Sequence, residues 1–477
     1  MNTSGQNAQR YAPMKQVRPS RTNCVNTVRV LRRLAKIGMN GSMNFAIPIK
    51  DKVNACGNSR PIGMFGNTKH QVTLSCRDVP ATGQGKTKRN ENHYTCKSGR
   101  EANMKIHFNP KDFSPMFRLA ASVANSKDYM PILQNVKIIA DKQIGVILQA
   151  TDTEVGIRIR IDCDVSKEGE AILPKDRLLK VLDLTKSERL TLEYSEGKIV
   201  VDGEDKEHYK LDTMLSDEFP YIEEFGATAY HEIPAKALQE VIQRTIFAVD
   251  CENIKYALGG VSFEMTSQVI STVGTDGRRL AWQDCSGESI NDHKVETAIV
   301  PARTLQLLNR ALSDKSIGEG IDVKMAVAEG MVWFQCQDIT LFSRLIEGRY
   351  PKWRNIIPKI EGKELFTVDC EPLLSAIMRA QVTTSDLDPG VDFSFDKGKL
   401  TLQGEGKERG NSKIEVPISF SDISKKVKID PKFMTDFLRV LDGGKKVSIY
   451  LPPEAGEPIK ITADDGGYVY VLMPMSS

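Results

Sequence analysis

Six stretches of the chain share one pattern of apolar and polar positions: a short alternating strand, a proline, then apolar residues at helical spacing. They read "KIHFNPKDFSPMFRLAASV" from 105, "EAILPKDRLLKVLDL" from 170, "HEIPAKALQEVIQRTIF" from 231, "TAIVPARTLQLLNRAL" from 297, "LFTVDCEPLLSAIMRAQ" from 365 and "KVKIDPKFMTDFLRVL" from 426. Alternation at period two predicts a half-buried strand, and recurrence every three to four residues predicts an amphipathic helix. The prolines are Pro110, Pro174, Pro234, Pro301, Pro372 and Pro431. Proline suits the first helical turn, where its missing N–H has no intrahelical acceptor. Helices are therefore predicted over 111–124, 174–183, 235–247, 301–312, 372–381 and 431–441.

Within successive pairs the prolines stand 64, 67 and 59 residues apart. Each helix is followed by short alternating strands with turn residues between them, as in "RLTLEYSEGKIVVDG" (189–203) and "KLTLQGEGKERGNSKIEVPIS" (399–419). Two such units make a domain of ordinary size, so the body reads as three copies of one α+β domain, over 104–228, 229–360 and 361–477. Domain ends rhyme as well, "SDEFPYIEEF" (216–225) against "EGRYPKWRNIIP" (347–358). The chain closes on "GYVYVLMPMSS" (467–477), which is unusually apolar for a terminus.

Charge divides the chain at Met104. Residues 1–103 hold 18 Lys and Arg against 4 Asp and Glu, whereas 104–477 hold 47 against 58, so the formal net charge of +3 averages two unlike pieces. The first piece has too little periodic apolar sequence for a core, and only "VRVLRRLAKIG" (28–38) reads as a short basic helix. It is read as a basic, disordered extension, or as upstream sequence joined by a mis-assigned start with Met104 as the true first residue. The functional alternative is an arm that touches nucleic acid or membrane. Nine cysteines form no CxxC pair, and there is no secretory segment or 18-residue apolar run. A reduced, cytoplasmic protein without membrane contact is expected. A zinc site from Cys24, Cys56, Cys76 and Cys96 would have gaps of 32, 20 and 20 residues, unlike zinc-knuckle spacing.

The six predicted helices carry 12 basic residues and 5 acidic ones, a net +7 inside a body of net −11. Gathered on one surface, they would form a basic lining within an acidic shell, attracting a phosphate backbone that the exterior repels. They carry no aromatic platform for single strands. The expected ligand is duplex DNA, held without reading its sequence.

Several short motifs then come in a telling order: "YMPILQNV" (129–136), "YALGGVSFE" (256–264), "TDGRRLA" (275–281), "EGRYPKWRNIIP" (347–358) and "YVLMPM" (470–475). With these the body, 104–477, resembles the bacterial DNA polymerase III beta subunit family, the replicative sliding clamps. The resemblance implies a head-to-tail homodimer closing as a six-domain ring, helices lining the hole and sheets outside. It implies a clamp that tethers the replicative polymerase for processive synthesis and serves other replication and repair proteins as a docking platform. The DNA polymerase III alpha subunit, the clamp loader and other proteins with a clamp-binding motif are the implied partners. Their peptides would dock between the second and third domains, on Leu258, Thr275, Gly277, Arg278, Arg279, Leu280, Pro351, Ile356, Val471, Leu472, Met473, Pro474 and Met475. Leu280, Ile356, Val471 and Met473 would form a soft apolar pocket, and Arg278 and Arg279 would pair a peptide carboxylate or carbonyls. Lys127, Lys180, Arg244, Arg310 and Arg439 would face DNA. Tyr209 and Leu211 would meet Val382 across the dimer interface. Two positions depart from the family: Arg278 stands where histidine is common, and the chain ends Ser-Ser instead of with a basic and an apolar residue.

An enzyme is the rival class. Asp152 and Asp276 lie at like places in two repeats and would make a carboxylate pair, but a Thr-Asp turn after a strand is better read as Asx capping. No P-loop, GxSxG or HExxH occurs, and six histidines are scattered. No catalytic residue, metal or cofactor is expected. The third class, a scaffold that binds proteins but not DNA, conflicts with the helix charge bias.

Overall fold

Six α-helices lie among the described residues: α1 Pro110–Val123, α2 Lys175–Leu184, α3 Ala235–Ile246, α4 Ala302–Leu312, α5 Cys370–Ala380 and α6 Pro431–Arg439. The computed structural model describes residues 103–475, apart from 126–128, 205, 251–256, 295–296, 314–319, 360–363, 397, 407, 419–423, 453, 455 and 465–466. The basic segment and its cysteines lie outside the described residues. Pro110 and Pro431 take the first helical position, while Pro174, Pro234 and Pro301 sit one residue earlier at the N-cap. Either place suits a fixed φ near −65° and needs no N–H donor. Where proline holds the first position, Asn109 and Asp430 cap the helix, each accepting a 2.9 Å bond from the backbone of Lys111 or Lys432. Helix α5 starts two residues earlier than the pattern predicts and takes in Glu371, which trims the helical charge excess by one.

Each repeat contributes two half-sheets, and the half-sheets join between repeats. In a nine-stranded sheet, Ile339–Arg344 of the second repeat pairs antiparallel with Val155–Ile161 of the first, in the register Phe342↔Gly156. In an eight-stranded sheet, Val469–Leu472 of the third pairs with Arg279–Ser286 of the second, in the register Val471↔Leu280. Two sheets remain unjoined. A five-stranded one ends on His208–Asp212, and a four-stranded one ends on Gly410–Pro417. Strand order makes these two the counterparts of the strands that form the inner joints.

Each helix lays its apolar face on the sheets. Phe113 and Phe117 of α1, Leu238 and Ile242 of α3, and Phe437 of α6 are buried, each contributing about 1.5–3 kcal/mol. The four cysteines among the described residues are free thiols, so no disulfide shares that work. No helix among the described residues is long and apolar enough to cross a membrane.

Candidate partner cleft and nucleic-acid interface

The end of the chain is a central strand rather than a frayed tail. Val469–Leu472 lies between Ile459–Ala463 and Arg279–Ser286. Beyond it, the Met473 amide donates to the Arg278 carbonyl at 2.9 Å and the Met475 amide to Lys428 at 2.8 Å. Because side chains alternate, the strand has two faces. Tyr470 and Leu472 point into the core of the third repeat. Val469 and Val471 join Val273, Leu280 and Trp353 in a separate apolar cluster at the joint.

That cluster is the floor of the expected cleft, and it is covered. Leu280 and Val471 are only 2 % exposed, whereas Met473 and Ile356 are 40 % and 43 % exposed. The expected pocket of four therefore divides into two floor residues and two rim residues. Trp353, itself only 2 % exposed, packs into the same cluster and is tied down by a 2.6 Å bond from its Nε1 to Glu264, which also holds Arg354. The Tyr350 hydroxyl donates to the Val273 carbonyl at 2.9 Å, and burial raises its pKa. The sequence reading missed Trp353, Tyr350, Val273 and Val469. The period-two pattern of "VYVL" carried the signal for Val469. Pro351 lines a neighbouring crevice of about 510 Å³ with Glu264, Tyr350 and Trp353. Leu258, Pro474 and Met475 are half-buried, and Leu472 is fully buried, so it offers no surface to a ligand.

The Thr-Asp turn holds the pocket's edge. Asp276 Oδ1 accepts from the amides of Arg278 and Arg279 at 2.9 Å, while the Thr275 hydroxyl donates to Arg279 O at 2.6 Å. Gly277 adopts φ +86°, a region that favours glycine. Both of its neighbours depend on this turn, but they face different ways. Arg278 is exposed and free to meet a ligand.

Arg279, expected to do the same, is instead buried. Its guanidinium donates to Asp276 at 2.9 Å, to Asp436 of α6 at 2.9 Å and to the Phe247 carbonyl at 2.7 Å, and it stacks over Phe433. Burial opposes its charge, yet the bond to Asp436 and the surrounding carboxylates raise its pKa. It rivets the second repeat to the third. Arg279→Ala takes the shared buried cation from Asp276 and Asp436, leaving Asp276 its amide donors and Asp436 only Lys432, and is expected to cost about 3 kcal/mol in a urea titration. Arg278→Ala should cost at most about 0.5 kcal/mol.

Among the DNA-facing candidates, Lys180, Arg310 and Arg439 are exposed. Arg244 is not. It is 6 % exposed, paired with Glu240 at 2.8 Å, bonded to Gln283 and stacked on Tyr468, so its charge serves the core. Lys175, counted with the basic helices, is also buried, and its ammonium donates to the Ala124 carbonyl at 2.7 Å. Lys127 lies outside the described residues. A crevice of about 1050 Å³ gathers Lys111 and Arg118 of α1, Lys186 after α2 and Arg310 of α4, four bases against two acids, Glu188 and the Asp183 that pairs with Arg118. Bases from two repeats thus converge on one concave surface.

Tyr209 and Leu211 sit half-buried on the open strand His208–Asp212. Val382 is 72 % exposed on a turn whose neighbour Thr383 bonds Ser412 of the open strand Gly410–Pro417. Asp152 does what Asp276 does: it caps its turn, accepting from Val155 N at 2.8 Å, and it pairs with Arg303. Both carboxylates are committed to turn and joint geometry.

Three family models match the chain in order. They are the N-terminal domain of the DNA polymerase III beta subunit over residues 104–223, its central domain over 232–352 and its C-terminal domain over 354–476. The chain is similar to the beta sliding clamp of Pseudomonas aeruginosa, 25 % identical over 362 residues, which cover 75 % of this chain and 96 % of that one. It is 24 % identical to the beta sliding clamp of Treponema pallidum over 379 residues, 78 % of this chain and all of that one. In structure it resembles the Pseudomonas aeruginosa sliding clamp bound to griselimycin, with a TM-score of 0.72, 23 % identity, and coverage of 79 % of this chain and 100 % of that one. The Bacillus subtilis DNA polymerase sliding clamp gives a TM-score of 0.71 at 20 % identity, with the same coverage. Since the three models together span nearly all of 104–476, the chain belongs to the DNA polymerase III beta subunit family.

Proposed function

We propose that this chain is a sliding clamp, encircling duplex DNA and tethering a replicative polymerase for processive synthesis, as a processivity factor and not a catalyst. The observation that carries the reading is the convergence of Lys111, Lys186 and Arg310 from two repeats around one crevice, beside an Arg118 already paired with Asp183. Cations so placed neutralise phosphates without reading bases, which suits a protein that must slide. The ring follows from the open strands. His208–Asp212 and Gly410–Pro417 are counterparts of the strands that join the repeats internally, so pairing them head to tail between two copies closes the assembly and hides both edges. In this reading the domains run 104–228, 229–360 and 361–477, and the cytoplasm is the place of work. Met473, Ile356 and Arg278 frame a docking site for peptides of the polymerase alpha subunit, the clamp loader and other clamp-binding proteins.

The test is topological. Loaded protein should stay on nicked circular DNA and be lost when the circle is linearised. Changing Lys180, Arg310 and Arg439 to Glu should weaken retention while leaving the urea midpoint in place, because all three are exposed. Arg244 is left out of that set, since reversing a buried charge would unfold the chain. Sequence-specific, salt-insensitive binding by the unaltered protein would overturn the reading. Residues 1–103 play no part in it, and deleting them should change neither the thermal midpoint nor the sedimentation coefficient.

A further inference from the structure

The two sheet joints inside the chain are built alike, nearly atom for atom. At the second joint the Thr275 hydroxyl donates to Arg279 O, and Asp276 Oδ1 accepts from the amides two and three residues on. At the first joint the Thr151 hydroxyl donates to Val155 O at 2.8 Å, and Asp152 Oδ1 accepts from Glu154 and Val155. Thr153 and Gly277 hold the same left-handed turn, at φ 76° and 86°. In both joints a guanidinium ties that aspartate to a carbonyl at the end of the preceding helix. Arg279 reaches Asp276 and Phe247 O, and Arg303, arriving from the other side of the joint, reaches Asp152 and Val123 O.

Register then makes Gly156 and Phe342 the counterparts of Leu280 and Val471. The surrounding clusters also correspond. Phe219 and Ile222 stand with Phe342 where Tyr350 and Trp353 stand with Val471. At the paired floor positions the joints differ in one exchange of volume. A Cβ on Gly156 would lie 2.0 Å from the Phe342 ring, so only glycine lets that ring lie flat across the strand. Leu280 and Val471 are two smaller side chains sharing the same space.

We propose that the first joint is a second copy of the partner cleft, filled from within by the chain's own Phe342. The phenyl ring takes the place of the apolar anchor that a partner peptide would insert, and it limits each chain to one peptide. Tyr129 and Tyr221, next in sequence to Met130 and Ile222 of this cluster, remain almost fully exposed and supply aromatic rim surface. The proposal rests on the reading of the second joint as a peptide cleft.

Gly156→Leu combined with Phe342→Val rebuilds the leucine–valine pair of the second joint in the first. The full-length protein is titrated calorimetrically with a synthetic decapeptide bearing adjacent leucine and phenylalanine near its C-terminus. The unaltered chain should bind one peptide, and the double variant two. Adding Leu280→Ala and Met473→Ala should return the double variant to one. Phe342→Val alone is read in the same way if the leucine disturbs folding. A variant with an unshifted thermal midpoint that still binds one peptide overturns the proposal. If the unaltered chain binds none, the cleft reading itself fails, and this proposal fails with it.

Discussion

Leu211→Asp combined with Val382→Asp is expected to turn the protein into well-folded monomers in sedimentation velocity. Leu211 lies on the open strand His208–Asp212, and Val382 lies beside the open strand Gly410–Pro417. If these edges pair, each new carboxylate must leave water for a site that holds an apolar side chain. Burying a polar group unpaired costs about 1–3 kcal/mol, and a charge costs more. Each interface would receive both substitutions, and a closed two-chain ring has two interfaces. The penalties add to roughly 4–12 kcal/mol per ring, a weakening of at least about a thousandfold. Val382 is the cleaner site, because a side chain 72 % exposed contributes little to its own chain's core. Leu211 packs partly against its own repeat, so Leu211→Asp should also lower the thermal midpoint slightly. An unshifted sedimentation coefficient for the double variant would place the interface elsewhere.

The helices were legible because their signal is local. Apolar spacing and a proline near the first turn mark all six, and each boundary falls within three residues of its predicted place. The repeat was legible for the same reason, six times over. The joints were not. That Phe342 faces Gly156 and Val471 faces Leu280 depends on pairings between strands more than a hundred residues apart, which no local pattern encodes. The fate of single charges was hidden too. Arg244 and Arg310 both lie in the last turn of a helix and read alike in the sequence. Only the packing of Gln283 and Tyr468 over Arg244 separates a core cation from an exposed one. Arg278 and Arg279 are adjacent and chemically identical, yet the turn at Gly277 sends one to solvent and the other into a three-way rivet. Motif position carries no information on the depth of each side chain in the expected cleft.

Depth decides how the cleft should respond to substitution. Met473→Ala is expected to weaken binding of a polymerase-derived peptide by roughly 5- to 150-fold, or about 1–3 kcal/mol. Met473 is 40 % exposed at the rim, so truncation removes contact surface and leaves the fold alone; its amide bond to Arg278 does not involve the side chain. Leu280→Ala should weaken binding as well, but through a different route. Leu280 is buried in one cluster with Trp353, and emptying that site costs about 2–5 kcal/mol of stability while loosening the floor on which the anchor rests. The two effects separate in paired measurements. Fluorescence anisotropy against the labelled peptide should fall for both variants, whereas the urea midpoint should move only for Leu280→Ala. Ile356→Ala should follow Met473→Ala, being equally exposed. Neither rim change touches the open strands or the basic crevice, so retention on circular DNA should persist while the polymerase is no longer tethered. Binding by the Met473→Ala, Leu280→Ala double variant as tight as that of the unaltered chain would mean that partners dock elsewhere, and that the apolar end of the chain serves only to close the sheet.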